Sequence, residues 1–391
     1  MTPEESLAWL FSTQQFGIKL GLDNIRLILQ GLGHPESELP IIHVAGTNGK
    51  GSTCSMLDAI SRASGRRTGL YTSPHLVDFR ERVRIDGVKI PAEKVALILT
   101  RIRDLAVTWD HQPTFFEIVT ALALRHFADE RCELVILETG MGGRLDATNA
   151  PTPRVCVITP VSFDHTQWLG KTLREIAAEK AGIFKDGVPI VSAPQEPDAQ
   201  EVLERIAAEK HARLQIVAQA WHDGPIGLKG DFQRENAALA LAALAAAGFP
   251  ATPEEARTGL RDVFWPGRFQ EIAGGIILDG GHNPQACRQL VKNWRASYGE
   301  EKATVLFGAL ADKAYVEMLE IIAPIVGEMH FVPVQNHRGC PPAELAAKWP
   351  GASTIHESVA SALSSLEKRP LLISGSLFLI GEAMSALGLE A

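Results

Sequence analysis

Residues 40–57, PIIHVAGTNGKGSTCSML, decide the architecture. Pro40 to Ala45 is an apolar, β-branched run with the character of a buried strand. It breaks into the glycine-rich turn Gly46-Thr47-Asn48-Gly49-Lys50-Gly51-Ser52, and a helix is expected from about Lys50 to Ser64. In a strand–loop–helix unit of this kind, glycines let successive amides turn toward one anion. The helix start adds partial positive charge and Lys50 a full one. Ser52 or Thr53 can reach a phosphate or its magnesium. The ordinary G-x-x-x-x-G-K-[ST] pattern opens with a glycine where this chain has Val44, so the loop is a variant of it. A plain glycine turn would leave the lysine and hydroxyls unexplained. The segment therefore reads as a nucleoside triphosphate site.

Outward from this unit the pattern repeats. Leu134 to Leu137, Val155 to Ile158 and Pro189 to Ser192 are short buried-strand runs. Thr114 to Phe127, Thr172 to Ala181 and Pro197 to Glu209 read as helices. Toward the N-terminus, Thr2-Pro3-Glu4-Glu5 carries a capping signature, and Asp23 to Leu32 is a short helix ending at Gly33. Alternation of short apolar runs with helices implies an α/β fold, a mainly parallel sheet with helices on both faces. The Ala-rich Glu235 to Ala247 is a further helix. After Trp265-Pro266-Gly267-Arg268 and Gly274-Gly275 the alternation restarts, with strands expected at Ile276 to Leu278, Thr304 to Phe307, Met329 to Val332 and Leu371 to Ile373. We therefore expect two units, a P-loop-type ATPase domain over residues 1–272 and a smaller Rossmann-like domain over 273–391.

Bulk properties narrow the class. The 391 residues are 46% apolar with a formal net charge of −8, the profile of an α/β enzyme. An acidic chain is a poor candidate for binding nucleic acid or a membrane surface, so anionic substrates must be held by a few placed cations and backbone amides. Cys54, Cys132, Cys156, Cys287 and Cys340 are scattered without a C-x-x-C pair, which argues against a disulfide framework or zinc knuckle. No basic segment opens the chain and no apolar run approaches spanning length, so a cytoplasmic location is expected.

Other positions carry chemistry. Glu138 closes a buried run, and a carboxylate at the carboxyl end of such a strand faces the ligand crevice of an open α/β sheet, where it can hold magnesium or merely cap a turn. His165, in Ser162-Phe163-Asp164-His165, projects from the end of the next strand. Gly140 to Asn149 is too glycine-rich for core and carries Arg144 and Asp146, as a functional loop does. Lys180 lies on an amphipathic helix and reads, by itself, as solvated. Glu117, in Thr114-Phe115-Phe116-Glu117, reads as the capping partner of Thr114.

Together the motifs GTNGKGS (46–52), YTSPHL (71–76), ERVRI (81–85), ETGMGGRLDATN (138–149), DHTQWLG (164–170), EKAGIF (179–184), WPGRFQ (265–270) and DGGHNP (279–284) resemble the folylpolyglutamate synthase and dihydrofolate synthase family of the Mur ligase superfamily. The resemblance runs over nearly the whole chain. It implies an ATP-dependent ligase that activates an acceptor carboxylate as an acyl phosphate and joins it to L-glutamate. The acceptor is dihydropteroate or a folate, and a bifunctional enzyme is favoured. ATP would lie between the two domains, its phosphates on Gly46, Thr47, Asn48, Gly49, Lys50, Gly51 and Ser52. Asn236 would face the adenine, Arg268 the phosphates, and Asp279 with His282 the nucleoside. Ser73, Glu138 and His165 would bind magnesium, with two ions expected. Lys180 matches the family lysine that is carbamylated, which replaces the solvated reading. Lys50, Lys180 and His165 are thus the implied catalytic set. Thr114, Phe115, Phe116 and Glu117, with Leu145, Asp146 and Ala147, would line the pterin pocket. Lys19 to Leu22 falls where bifunctional relatives also touch pteroate, although Lys19 stands where some carry an acid. Phe232-Gln233 replaces a common His-Gln, and Gly281 a common alanine. Partners are small molecules, and a monomer is expected. Two alternatives remain: a Mur-type ligase acting on another carboxylate, and a nucleotide-binding regulatory protein without ligase activity.

Overall fold

The computed structural model describes residues 1–16 and 21–390, so Lys19 and Leu20 of the expected pteroate segment lie outside the described residues. The first unit is built on an eight-stranded sheet. Its strands are β1 (Ile41–Ala45), β2 (Thr68–Tyr71), β3 (Val83–Ile85), β4 (Val88–Lys89), β5 (Leu134–Glu138), β6 (Val155–Ile158), β7 (Ile190–Ser192) and β8 (Leu214–Ile216), in the order β4-β3-β2-β5-β1-β6-β7-β8. All neighbours run parallel except the β2-β3-β4 extension, which is antiparallel.

Side-chain alternation splits the core. Ile42, Val44, Leu134, Ile136, Val155 and Val157 turn to one face, against Leu57, Ile60, Leu239 and Leu244 of the helices Lys50–Ala63 and Phe232–Ala246. Ile41, Val135 and Leu137 turn to the other, against Ile25, Leu99 and Leu122. With both faces covered by helices, continuous apolar strands are required, and β1 and β5 are buried at every position. The helix Phe115–Asp129 starts with the expected capping box, Thr114 Oγ1 accepting from the Glu117 amide.

The second unit has six strands, β9 (Gln270–Ile272), β10 (Ile276–Asp279), β11 (Ala303–Phe307), β12 (Val326–Phe331), β13 (Ser353–Ile355) and β14 (Leu371–Ser374), ordered β13-β12-β11-β14-β10-β9. Only β9 is antiparallel. Because β9 pairs with β10, sheet membership assigns Gln270–Ile272 to the second unit, just before the boundary drawn between residues 272 and 273. The backbone reversal through Gly274 and Gly275 is a hairpin turn inside that unit, not the linker. The two units meet closely. Leu76 of the first packs on the core of the second, and a Cβ on Gly381 would fall 2.0 Å from the Leu76 carbonyl oxygen, so only glycine permits this approach. Among the described residues no helix is long and apolar enough to cross a membrane.

Candidate active site

Strand β1 lies between β5 and β6 in parallel, with Val44 opposite Glu138 and Ala45 opposite Ile158. Three carboxyl ends therefore deliver the glycine loop, Glu138 and the segment 159–165 to one place. The loop is tied to that segment: the Thr47 and Asn48 amides donate to the Pro160 carbonyl at 3.0 and 3.2 Å, and Thr47 Oγ1 to the Ser162 carbonyl at 3.0 Å. Gly49, at φ 86°, starts the helix Lys50–Ala63, and no side chain caps it. Its first-turn amides and partial positive charge are thus left for an anion. Asn236 abuts this turn, since a Cβ on Gly49 would come 2.8 Å from its Oδ1, and its Nδ2 donates to Gln233.

Gly46 is the tightest point, at φ 149° with any Cβ only 1.8 Å from Thr159 Oγ1. Gly46→Ala should therefore deform the loop. We expect a loss of about 1–3 kcal/mol in stability and a higher KM for ATP, read from a melting curve and a rate assay. An unchanged variant would contradict the close-approach argument.

Two lysines converge on the Gly46 carbonyl. Lys50 Nζ lies 3.1 Å from that oxygen and 3.3 Å from the Thr47 oxygen, while Lys180 Nζ donates to the same Gly46 oxygen at 2.8 Å. Lys180 is 3% exposed, and burial, aided by the charge of Lys50, pushes its pKa down to about 7. The solvated reading of this lysine is overturned, because its helix turns it under the loop. The Gly140–Asn149 loop is clamped on the same helix: Arg144 pairs with Glu179 at 2.8 Å, and a Cβ on Gly143 would meet the Lys180 carbonyl at 2.8 Å.

Glu138 is 4% exposed, and its one hydrogen bond among the described residues comes from the Ser73 amide to Oε2 at 3.1 Å. Burial raises its pKa, opposed by the charge of Lys50. The second carboxylate oxygen and the Ser73 hydroxyl accept nothing from the described residues, so the pair suits a hard divalent cation. Among the described residues no hydrogen bond or ion pair joins His165 to this pair. It adopts φ 50°, and its Nε2 lies 3.4 Å from Lys313 Nζ. Burial, with Lys313, pushes it down to about 4, so the imidazole is neutral. Among the described residues, no group of three or more His, Cys, Asp or Glu side chains forms a ready metal cage.

The second unit supplies the opposite wall. The Asp279 carboxylate accepts from the Phe269 and Gly281 amides at 3.0 and 2.9 Å, and thus orders both family motifs around it. Half-buried Arg268 contacts the Gly267 carbonyl and would lie 2.8 Å from a Cβ on Gly280. His282 Nδ1 is 2.9 Å from the Gly280 carbonyl, and its Nε2 is 3.6 Å from Asp164. Further polar clasps join the units. Asn48 and Asn283 exchange amide hydrogen bonds at 3.3 and 2.9 Å, and Lys313 Nζ reaches Asp164 Oδ1 at 2.5 Å. Sequence reading singled out neither Lys313 nor Asn283. The usable signals were that Asn283 falls within the DGGHNP motif and that Lys313 follows the carboxyl end of β11.

Of the residues expected at the pterin pocket, the two phenylalanines diverge. Phe116 lies over Gly140, where a Cβ would meet its ring at 2.5 Å, and 6.0 Å from Tyr71. Phe115 stacks on Phe11 at 5.8 Å with Phe79 edge-on. Glu117 is spent locally, its Oε2 taking the Thr114 amide at 2.7 Å and hydroxyl at 2.8 Å. Asp146 likewise orders its own loop, accepting from Met141 and Thr148, and Thr148 is held in turn by buried His43 at 2.8 Å. Ala147 is buried and Leu145 half-buried beside it.

Residues 44–214 match the Mur ligase middle domain, and residues 267–376 match the Mur ligase glutamate ligase domain. The chain is 33% identical to the dihydrofolate synthase/folylpolyglutamate synthase of Bacillus subtilis, covering 97% of each chain. It is 34% identical to the Escherichia coli protein of the same name, over 91% of this chain and 87% of that one. Among solved structures, E. coli FolC in complex with DHPP and ADP superposes with a TM-score of 0.89 at 31% identity, covering 98% of this chain and 97% of that one. Mycobacterium tuberculosis folylpolyglutamate synthase with ADP superposes with a TM-score of 0.91 at 28% identity, covering 99% of each.

Proposed function

The chain belongs to the dihydrofolate synthase/folylpolyglutamate synthase family of Mur ligases, and from that membership we propose that it adds L-glutamate to dihydropteroate and to the glutamate tail of tetrahydrofolate at the expense of ATP. The observation that carries the reading is the convergence of an uncapped phosphate loop, the Glu138–Ser73 pair and buried Lys180 at one end of the sheet.

The loop amides and Lys50 hold the ATP phosphates, with Lys50 exchanging its loop carbonyls for phosphate oxygens. Arg268 and the Asp279–His282 turn close on the nucleotide from the second unit, and Asn236 faces the base. Phe115 or Phe116 stacks on the pterin, with Leu145 to Ala147 as walls and the Thr114–Glu117 cap holding the helix start. Glu138, Ser73 and His165 would hold magnesium, which supplies charge neutralisation at the phosphates. A carbamate on Lys180 turns a buried amine into an anion suited to a second ion. The acceptor carboxylate attacks the terminal phosphorus of ATP and expels ADP, and the glutamate amine then attacks the acyl phosphate carbon and expels phosphate. Lys50 and the loop amides offset the repulsion between the two anions in the first step. The Asn48–Asn283 and Asp164–Lys313 clasps keep water from the acyl phosphate while the units are docked. The same reading makes the enzyme cytoplasmic and monomeric, with small molecules as its partners.

The test is ADP release by the purified protein with magnesium, L-glutamate and either acceptor. ADP formation that needs both glutamate and dihydropteroate establishes the synthase reaction, and further activity with tetrahydrofolate makes the enzyme bifunctional. Hydrolysis of ATP indifferent to either acceptor would contradict the folate assignment.

A further inference from the structure

Arg82 is a buried cation that still needs an anion. It is 8% exposed, and its backbone sits beside Ser73, since the Thr72 amide donates to its carbonyl at 3.1 Å. Its Nε donates to His75 Nδ1 at 2.8 Å, and its guanidinium lies 5.3 Å from the centre of the Phe115 ring. Among the described residues no carboxylate forms an ion pair with it. The acids whose charge reaches it are Glu81, which accepts the amides of Leu76, Val77 and Asp78 at 2.8, 3.0 and 2.5 Å, and Glu138, which accepts from the Ser73 amide and makes no hydrogen bond or ion pair with Arg82 among the described residues. A buried guanidinium without an anionic partner is unfavourable, and its planar fork matches one carboxylate with two parallel hydrogen bonds.

Resting on the folate-ligase reading, we propose that Arg82 binds the carboxylate end of the acceptor. The aromatic part of the acceptor lies on Phe115, and its carboxylate sits on the guanidinium between that ring and the Glu138–Ser73 pair. In dihydropteroate this is the reacting group, and in a folate it is the α-carboxylate of the terminal glutamate. His75 fixes the plane of the fork through Nε, which leaves the terminal nitrogens for the ligand.

The test is calorimetric binding of pteroic acid and of its carboxamide to the wild-type protein and to Arg82→Met and Arg82→Lys. Wild type should prefer the acid by roughly 10–100-fold, the worth of a charged hydrogen bond pair. Arg82→Met should bind the two forms equally, with the carboxamide held as tightly as by wild type, which shows an intact pocket. Arg82→Lys should keep part of the preference. In turnover, the KM for dihydropteroate should rise by a similar factor while that for ATP stays put. An Arg82→Met protein that still prefers the acid in full would overturn the proposal. Failure of the folate reading is distinguishable, because wild type would then bind neither form and dihydropteroate would not stimulate ADP release.

Discussion

Replacing Glu138 by glutamine is expected to lower kcat by about 100-fold or more, because one preorganised charge at a developing phosphoryl centre is worth that much. The substitution keeps the size of the side chain, and the amide oxygen can still take the Ser73 N–H, so the local backbone should hold. What disappears is the negative charge at the end of β5, on a side chain 4% exposed. Burial alone disfavours that charge, and Lys50 opposes the penalty. A divalent cation offsets it further, and the magnesium concentration needed for half-maximal rate should therefore rise with the fall in kcat. A Glu138→Gln protein with wild-type magnesium dependence would assign Glu138 to capping the turn.

Lys180→Ala is expected to be the other large loss, again about 100-fold or more if an anion is removed from the site. Its geometry is unusual for a lysine: a buried amine on the Gly46 carbonyl, with Lys50 on the same oxygen. Carbamylation needs the neutral amine and carbon dioxide. With the pKa pushed down to about 7, the neutral fraction grows as pH rises through that value. Activity in bicarbonate-containing buffer should accordingly climb across neutrality, and mass spectrometry of the intact protein should show the added carboxyl group. A short carboxylate such as acetate, diffusing into the cavity left in Lys180→Ala, should restore part of the rate. No rescue, and no added mass on wild type, would return Lys180 to a structural role as an anchor of the loop.

The parts of the fold that sequence made legible share a physical feature. β1, β5 and β6 are covered on both faces and show as unbroken apolar runs, and their ends were read within a residue or so. The edges were not legible. β13 is exposed at all three positions and β4 has only two residues, so neither carries a hydrophobic signal. The helix Phe232–Ala246 begins three residues before the expected Glu235, and Asp231 at its start makes no side-chain cap. For the site, Thr114 and Glu117 were decided by local spacing, and the capping box is formed as read. Lys180 could not be decided that way, because what buries it is a loop 134 residues earlier in the chain. The same holds for Lys313 and Asp164, 149 residues apart, whose pairing exists only once the two units dock.

The central claim is that the acceptor carboxylate is phosphorylated and then captured by the glutamate amine. It is tested most directly with dihydropteroate carrying heavy oxygen in its carboxylate, turned over with ATP, magnesium and L-glutamate. The account predicts one labelled oxygen in each phosphate released, together with a product heavier by one glutamyl residue. Unlabelled phosphate alongside unchanged dihydropteroate would contradict it.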